Sequence, residues 1–255
     1  MIFRRIKAYV QKENWFAVGI DFVIVVVGVF LGIQIGNWNE ARVSHVQEAE
    51  YLEQLRNEIS ANADMAQMQF DFVDRVIEGG RGGLLFLDGG EPCKTDCEEL
   101  IIDFFHASQL WGTRFMREKY QETNRRGIPS HEPLRLIVQD FYSFVAAWET
   151  VNTTPPSYRE RIRGYIPVDA MTELWSNCHE VSDMANEFLT FNCKAALAEI
   201  DLTKALAQMQ ADPELARSLR FWVSQNEFAR MNFPIIIDRS DKSVEAINDH
   251  LGKSP

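Results

Sequence analysis

Positive charge is scarce in this chain. Against 37 acidic side chains stand 26 Lys and Arg, a formal net charge of −11. That balance argues against sequence-independent binding to nucleic-acid phosphates, which runs on lysine and arginine, so nucleic acid is not an expected partner. Catalytic fingerprints are lacking as well. The five histidines, His45, His106, His131, His179 and His250, show no H-E-x-x-H or comparable ligand spacing. No G-x-S-x-G elbow, P-loop or dinucleotide fingerprint occurs, and the G-G-R-G-G run has neither the spacing nor the preceding strand of one. The expectation is a non-enzymatic protein with no cofactor and no metal. Alternating strand patterns are missing too: F-P-I-I-I at 233–237 is the one strand-like run, and a buried connector suits it equally. Internal repeats and low-complexity segments are absent. What remains is an all-α chain.

Charge is most conspicuously absent between Trp15 and Trp38. These 24 residues hold a single charged side chain, Asp21. As a helix rising about 1.5 Å per residue they reach roughly 36 Å, enough for a hydrocarbon core of about 30 Å, and the two tryptophans bracket the run as interfacial aromatics do. A cleaved signal peptide would also begin basic and turn apolar, but I-G-N-W-N-E-A-R offers no small-x-small cleavage site. Residues 1–14 carry a net charge of +3, leaving −14 for the rest. The positive-inside rule then places 1–14 in the cytoplasm and the acidic body across a bacterial inner membrane. Three segments follow: 1–14, a basic segment in which Ile2, Phe3, Ile6, Tyr9 and Val10 suit a short interfacial helix; 15–38, a transmembrane helix; and 39–255, a helical extracytoplasmic domain.

Within the span, Gly28, Gly32 and Gly36 fall close to the helix face of Asp21 at 100° per residue, while Gln34 points roughly the opposite way. A small-xxx-small stripe lets two helix backbones approach closely. It predicts a homo-oligomer or a subunit of a membrane complex, with lipid as the other partner. Asp21 has two readings at this stage: an acid near the cytoplasmic interface, paired with Lys12 or a lipid head group, or an acid facing a partner helix.

The basic start, the acid just inside the span, the Val/Ile-Gly run and then I-Q-I-G-N-W-N-E resemble a family of bacterial membrane proteins known only as a domain of unknown function. Its members typically read Q-I-N-N-W-N-E here; Asp21 stands where they usually have Glu, and Gly36 where they often have Asn. R-G-I-P-S-H-E-P-L-R-L-I-V-Q-D-F-Y, within about 114–144, is similar to the family's short loop and the Leu-Arg helix after it. The resemblance implies a single-span, mostly helical protein and brings no activity with it.

Beyond the span, Leu52, Leu55, Ile59, Ala63, Ala66, Phe70, Val73 and Ile77 recur at three- and four-residue steps, the signature of an amphipathic helix. No Pro or Gly lies between Ala41 and Glu78, so the span is expected to run on into this helix, whose seam suits either a coiled coil or its own domain's core. E-G-G-R-G-G at 78–83 and L-D-G-G-E-P at 87–92 are expected to break it. Further helices are expected over 98–108, over about 130–149 with Ser130 as cap and Pro133 in the first turn, and over 157–165, 169–191 and 194–209. One more begins at Asp212-Pro213, and a last runs from Ser240 to Leu251. T-T-P-P-S at 153–157 reads as a turn.

All four cysteines, Cys93, Cys97, Cys178 and Cys193, lie beyond the span. In an oxidising compartment an even count predicts two disulfides. Of the three possible pairings, Cys93–Cys97 closing C-K-T-D-C and Cys178–Cys193 tying neighbouring segments is preferred. Zinc held by Cys93, Cys97, Cys178 and His179 is disfavoured by the adjacent Cys-His and the acidic loop. Arg125, Arg126, Arg159, Arg161 and Arg163 are candidates for an anion site or for pairing with local acids. Two functions stand forward: a scaffold or accessory subunit associating through its span, and, as alternative, a periplasmic sensor or ligand-binding module working with a membrane partner. A hydrolase using His131 or His179 beside a nucleophile ranks third.

Overall fold

A computed structural model of the protein describes residues 15–111, 114–152, 156–182 and 187–252. The basic segment 1–14, the side chain of Trp15 and residues 153–155 of the expected turn lie outside the described residues. The described residues form eight α-helices, one 3₁₀ turn and one short two-stranded sheet: the fold is all-α. Helix α1 spans Trp15–Gly89, α2 Cys97–Ala107, α3 Glu118–Arg125, α4 Glu132–Asn152, α5 Ser157–Arg163 and α6 Val168–Asn177. Strands β1 (His179–Val181) and β2 (Glu187–Leu189) pair antiparallel, followed by the 3₁₀ turn Lys194–Leu197, α7 (Thr203–Gln210) and α8 (Pro213–His250).

Two compact units divide the chain, the first ending at Tyr51 and the second starting at Leu52. In the first, every described side chain from 19 to 47 is exposed, Phe22 at 69% and Trp38 at 71%. In the second, Leu52, Leu55, Ile59, Ala66, Val73 and Ile77 are buried. The amphipathic seam of α1 therefore packs into the core of its own domain. There it meets Ile101, Phe104 and Phe105 of α2, Phe141 and Val145 of α4, and Leu215, Leu219, Phe233 and Ile236 of α8. Helices α4 and α8 make the most extensive helix pair.

Four sequence expectations are corrected here. The G-G-R-G-G run does not end α1, which continues to Gly89. Its glycines serve close approach: a Cβ on Gly79 would stand 2.6 Å from the backbone oxygen of Asp103 on α2, and one on Gly80 would stand 2.4 Å from Val223 Cγ2 on α8. Next, F-P-I-I-I is neither strand nor connector but the middle of α8, which contains Pro234. Full burial of Phe233 and Ile236, worth about 1.5–3 kcal/mol each, offsets the roughly 3 kcal/mol a mid-helix proline costs. Third, the helix expected over 169–191 stops at Asn177. The chain then forms the β1–β2 pair, in register His179↔Leu189, with Thr190 N–H donating to Cys178 O at 3.2 Å. Finally, 194–209 is a 3₁₀ turn and a separate short helix. By contrast Asp212 caps α8, its side chain accepting the Glu214 N–H with Pro213 beside it in the first turn.

Candidate functional site

The span residues come first. Asp21, Gly28, Gly32, Gln34 and Gly36 all lie on α1 within the exposed stretch. A Cβ added to Gly28, Gly32 or Gly36 would meet nothing within 4 Å, so that face is open among the described residues. Among the described residues one helix, over Gly19–Gly89, is long and apolar enough to cross a membrane.

The domain holds a second feature that sequence reading missed. Between α1, the α2–α3 connection, α4 and α8 lies a cavity of about 220 Å³. Three of the chain's six tryptophans, Trp111, Trp148 and Trp222, line it together with Phe72 and Phe233. Their rings brace one another: Phe72 meets Trp111 edge-on at 5.2 Å, and Trp148 stands 5.0 Å from Phe233. Trp222 Nε1 donates to Ala107 O at 2.7 Å. Exposed Arg114 and half-buried Leu110, Trp111 and Trp148 lie on the side where the cavity reaches the surface.

Polar residues hold the wall in place. Gln109, buried, donates from Nε2 to Phe105 O at 3.1 Å and accepts from Arg163 Nη2 at 3.0 Å. Arg163 also donates from Nε to Ser108 Oγ at 3.0 Å and lies over the Trp175 ring. Burial lowers its pKa to about 10, which leaves it charged near neutrality. Asn226 Nδ2 donates to Trp222 O at 2.9 Å. Glu149 accepts the Phe115 N–H at 3.0 Å and pairs with Arg117.

The segment after Arg114 is tied to α1 by two residues one turn apart. Asn62 exchanges both its hydrogen bonds with the backbone of Met116. Buried Glu58 accepts the N–H groups of Lys119 at 2.7 Å and Tyr120 at 3.0 Å, and the Tyr142 hydroxyl at 2.6 Å. Arg117, at the cap position of α3, provides no side-chain cap of its own; Glu58 supplies the acceptor, and its charge suits a helix N-terminus. The Tyr142 hydroxyl is pushed well above its ordinary pKa, by burial first and then by Glu58.

The remaining candidates separate. Cys93 bonds Cys97 and Cys178 bonds Cys193, at S–S distances of 2.02 and 1.95 Å. Among the described residues no group of His, Cys, Asp and Glu is placed to hold a metal ion. Arg125 donates from Nε to Gln121 O at 3.2 Å, Arg126 pairs with Glu122 on α3 and Arg161 with Asp212, while Arg163 serves the cavity wall, so four of the five candidate arginines are spread among local duties. His131 stacks on His250 with centroids 5.4 Å apart, and His179 pairs with Glu187 at 3.0 Å. His106 is fully buried, its Nε2 donating to Cys178 O at 3.2 Å. Burial pushes its pKa down to about 4, with the bond to Cys178 opposing, so the ring is neutral.

The cavity was not legible in advance because its lining comes from four segments scattered between residues 69 and 233. No local spacing links Trp111, Trp148 and Trp222; their rarity was the one available signal. No family model matches the chain, and neither a curated protein nor a solved structure matches it.

Proposed function

We propose that this is a non-enzymatic, single-span protein of a bacterial inner membrane, similar to the uncharacterised family named above. Residues 1–14 stand in the cytoplasm and the helical domain in the periplasm, where it acts as scaffold or accessory subunit. The observation that carries the reading is the exposed apolar stretch of α1 ending at Trp38, which is covered by nothing among the described residues. In water such a surface is untenable; in lipid it is the ordinary face of a helix. Two disulfides agree with an oxidising compartment. The open face of Gly28, Gly32 and Gly36 supports association with a second helix. Cross-linking in membranes tests this: Gly32→Ile should abolish the oligomer or the complex, and an undiminished cross-linked band would refute helix-mediated association.

A second reading, ligand binding in the periplasmic domain, is favoured by the tryptophan-lined cavity. Small-molecule sites are concave and mostly apolar, with a few polar groups that fix orientation. In this reading a partner in the membrane relays the bound state.

A further inference from the structure

We infer that the cavity bounded by Trp111, Trp148 and Trp222 takes a small single-ring carboxylate, its ring among the indoles and its carboxylate on Arg114 and the Trp111 N–H. The inference rests on the ligand-binding reading and adds the chemical class of the ligand.

Size sets the first bound. About 220 Å³ far exceeds the roughly 10–15 Å³ that a single water needs on the same measure. Lined by three indoles and two phenyl rings, it suits one ring better than a sugar or a chain of waters.

Charge sets the second bound. Two ionisable residues line the cavity, Arg114 and Glu149. Glu149 is committed, one oxygen to the Phe115 N–H and the other to Arg117. Arg114 is exposed and makes no ion pair among the described residues. A cation entering the aromatic cluster would meet Arg114's charge and find the nearby acid already paired.

The third bound is the sense of the free hydrogen-bonding groups. Gln109 is engaged through both its amide nitrogen and its oxygen, so it serves as wall. The Trp111 Nε1–H is buried and finds no acceptor among the described residues. An indole nitrogen only donates, and so does a guanidinium. The lining also carries amide oxygens, on Gln69 and Asn226, but the ionised group of the site that is not paired among the described residues is a donor, the Arg114 guanidinium. A carboxylate supplies it and the Trp111 N–H with two acceptor oxygens in the planar geometry a guanidinium favours. Both donors belong to the lining of the same cavity.

Isothermal titration of the full chain in detergent micelles, followed in parallel by tryptophan fluorescence, tests this with phenylacetate, phenylacetamide and phenethylammonium. The expected result is saturable phenylacetate binding at or below about 1 mM, with the amide and the amine weaker by about tenfold or more. Arg114→Gln, at an exposed position, should weaken phenylacetate by about tenfold or more and the amide by much less, since the variant removes the charge-assisted part of the bond. Trp111→Phe keeps the ring, removes the donor and should weaken phenylacetate severalfold. If the amide or the amine binds as tightly as the acid, or Arg114→Gln leaves the acid unaffected, the carboxylate assignment is overturned while ligand binding stands. If none of the three saturates, the single-ring carboxylate assignment is overturned.

Discussion

Asn62 and Met116 hold each other through a closed pair of hydrogen bonds: Nδ2 donates to the Met116 carbonyl and Oδ1 accepts the Met116 N–H, both at 2.8 Å. Asn62 is fully buried. The pair fixes the chain just after Arg114 to α1, and with it one wall of the cavity. Asn62→Ala leaves a backbone donor and acceptor without their partner, which should cost about 2–4 kcal/mol. Urea unfolding monitored by circular dichroism measures it; exposed Asn57→Ala, within about 0.5 kcal/mol of wild type, is the control. Equal midpoints for the two variants would show that the Asn62–Met116 pair is not structural.

The close crossing of α1 and α2 makes a second prediction. Gly79→Ala places a methyl 2.6 Å from the Asp103 backbone oxygen, and backbone cannot swing aside. Overpacking of about 1–3 kcal/mol is opposed by a helix-propensity gain of about 1 kcal/mol, for a net loss of up to about 2 kcal/mol. Gly28→Ala, whose methyl meets nothing within 4 Å among the described residues, should leave the domain's melting unchanged. A stabilised Gly79→Ala protein would mean the helices are not in that contact.

Two groups on α2 oppose each other in pH. Asp103 is raised from 3.8 to about 7, by burial first and then by the Glu78 and Glu99 carboxylates. His106 is lowered from 6.5 to about 4, chiefly by burial. From about pH 4 to 6.5 the folded chain holds a proton at Asp103 that the unfolded chain has lost, and lacks one at His106 that the unfolded chain carries. The first makes stability fall as pH rises, the second makes it climb, and over this window they cancel. Between about 6.5 and 7 the Asp103 loss acts alone. Asp103→Asn deletes that loss, so the stability of the variant relative to wild type should increase steadily from about pH 4 to about pH 7 and then level off. Parallel urea titrations across this range check it, and a difference independent of pH would contradict the buried-acid assignment.

The disulfides make the fourth. Cys178–Cys193 closes a separation of 15 residues and Cys93–Cys97 one of 4. Loop-closure entropy assigns about 3 kcal/mol to the longer and about 2 to the shorter. The double variant Cys178→Ala, Cys193→Ala should therefore lose more in thermal stability than Cys93→Ala, Cys97→Ala. The longer bridge also frames the β1–β2 pair, so its loss should reduce hydrogen-exchange protection at Thr190. Equal melting of both double variants would reverse this ranking.

Legibility followed the range of the forces involved. The seam from Leu52 to Ile77 and the Asp212-Pro213 start of α8 are local patterns, and both stand in the structure. Gly79–Gly83 read as breakers because propensity is local, while the packing that keeps them helical comes from Asp103, Phe104 and Val223 far along the chain. Likewise the run around Pro234 read as strand or connector, while burial of Phe233 and Ile236 accompanies its place in α8. The β1–β2 pair has three-residue strands, too short for an alternating pattern, and depends on Cys178 and Cys193 meeting. The cavity is the least local feature of all. Its tryptophans become neighbours only once α4 and α8 have packed against α1.

The most direct measurement is protease access to tags at either end of the chain in spheroplasts. The account predicts that a C-terminal tag is removed while an N-terminal tag is protected, with all of the protein in the membrane fraction. A protected C-terminus with a cleaved N-terminus, or a chain recovered soluble and monomeric without detergent, would contradict it.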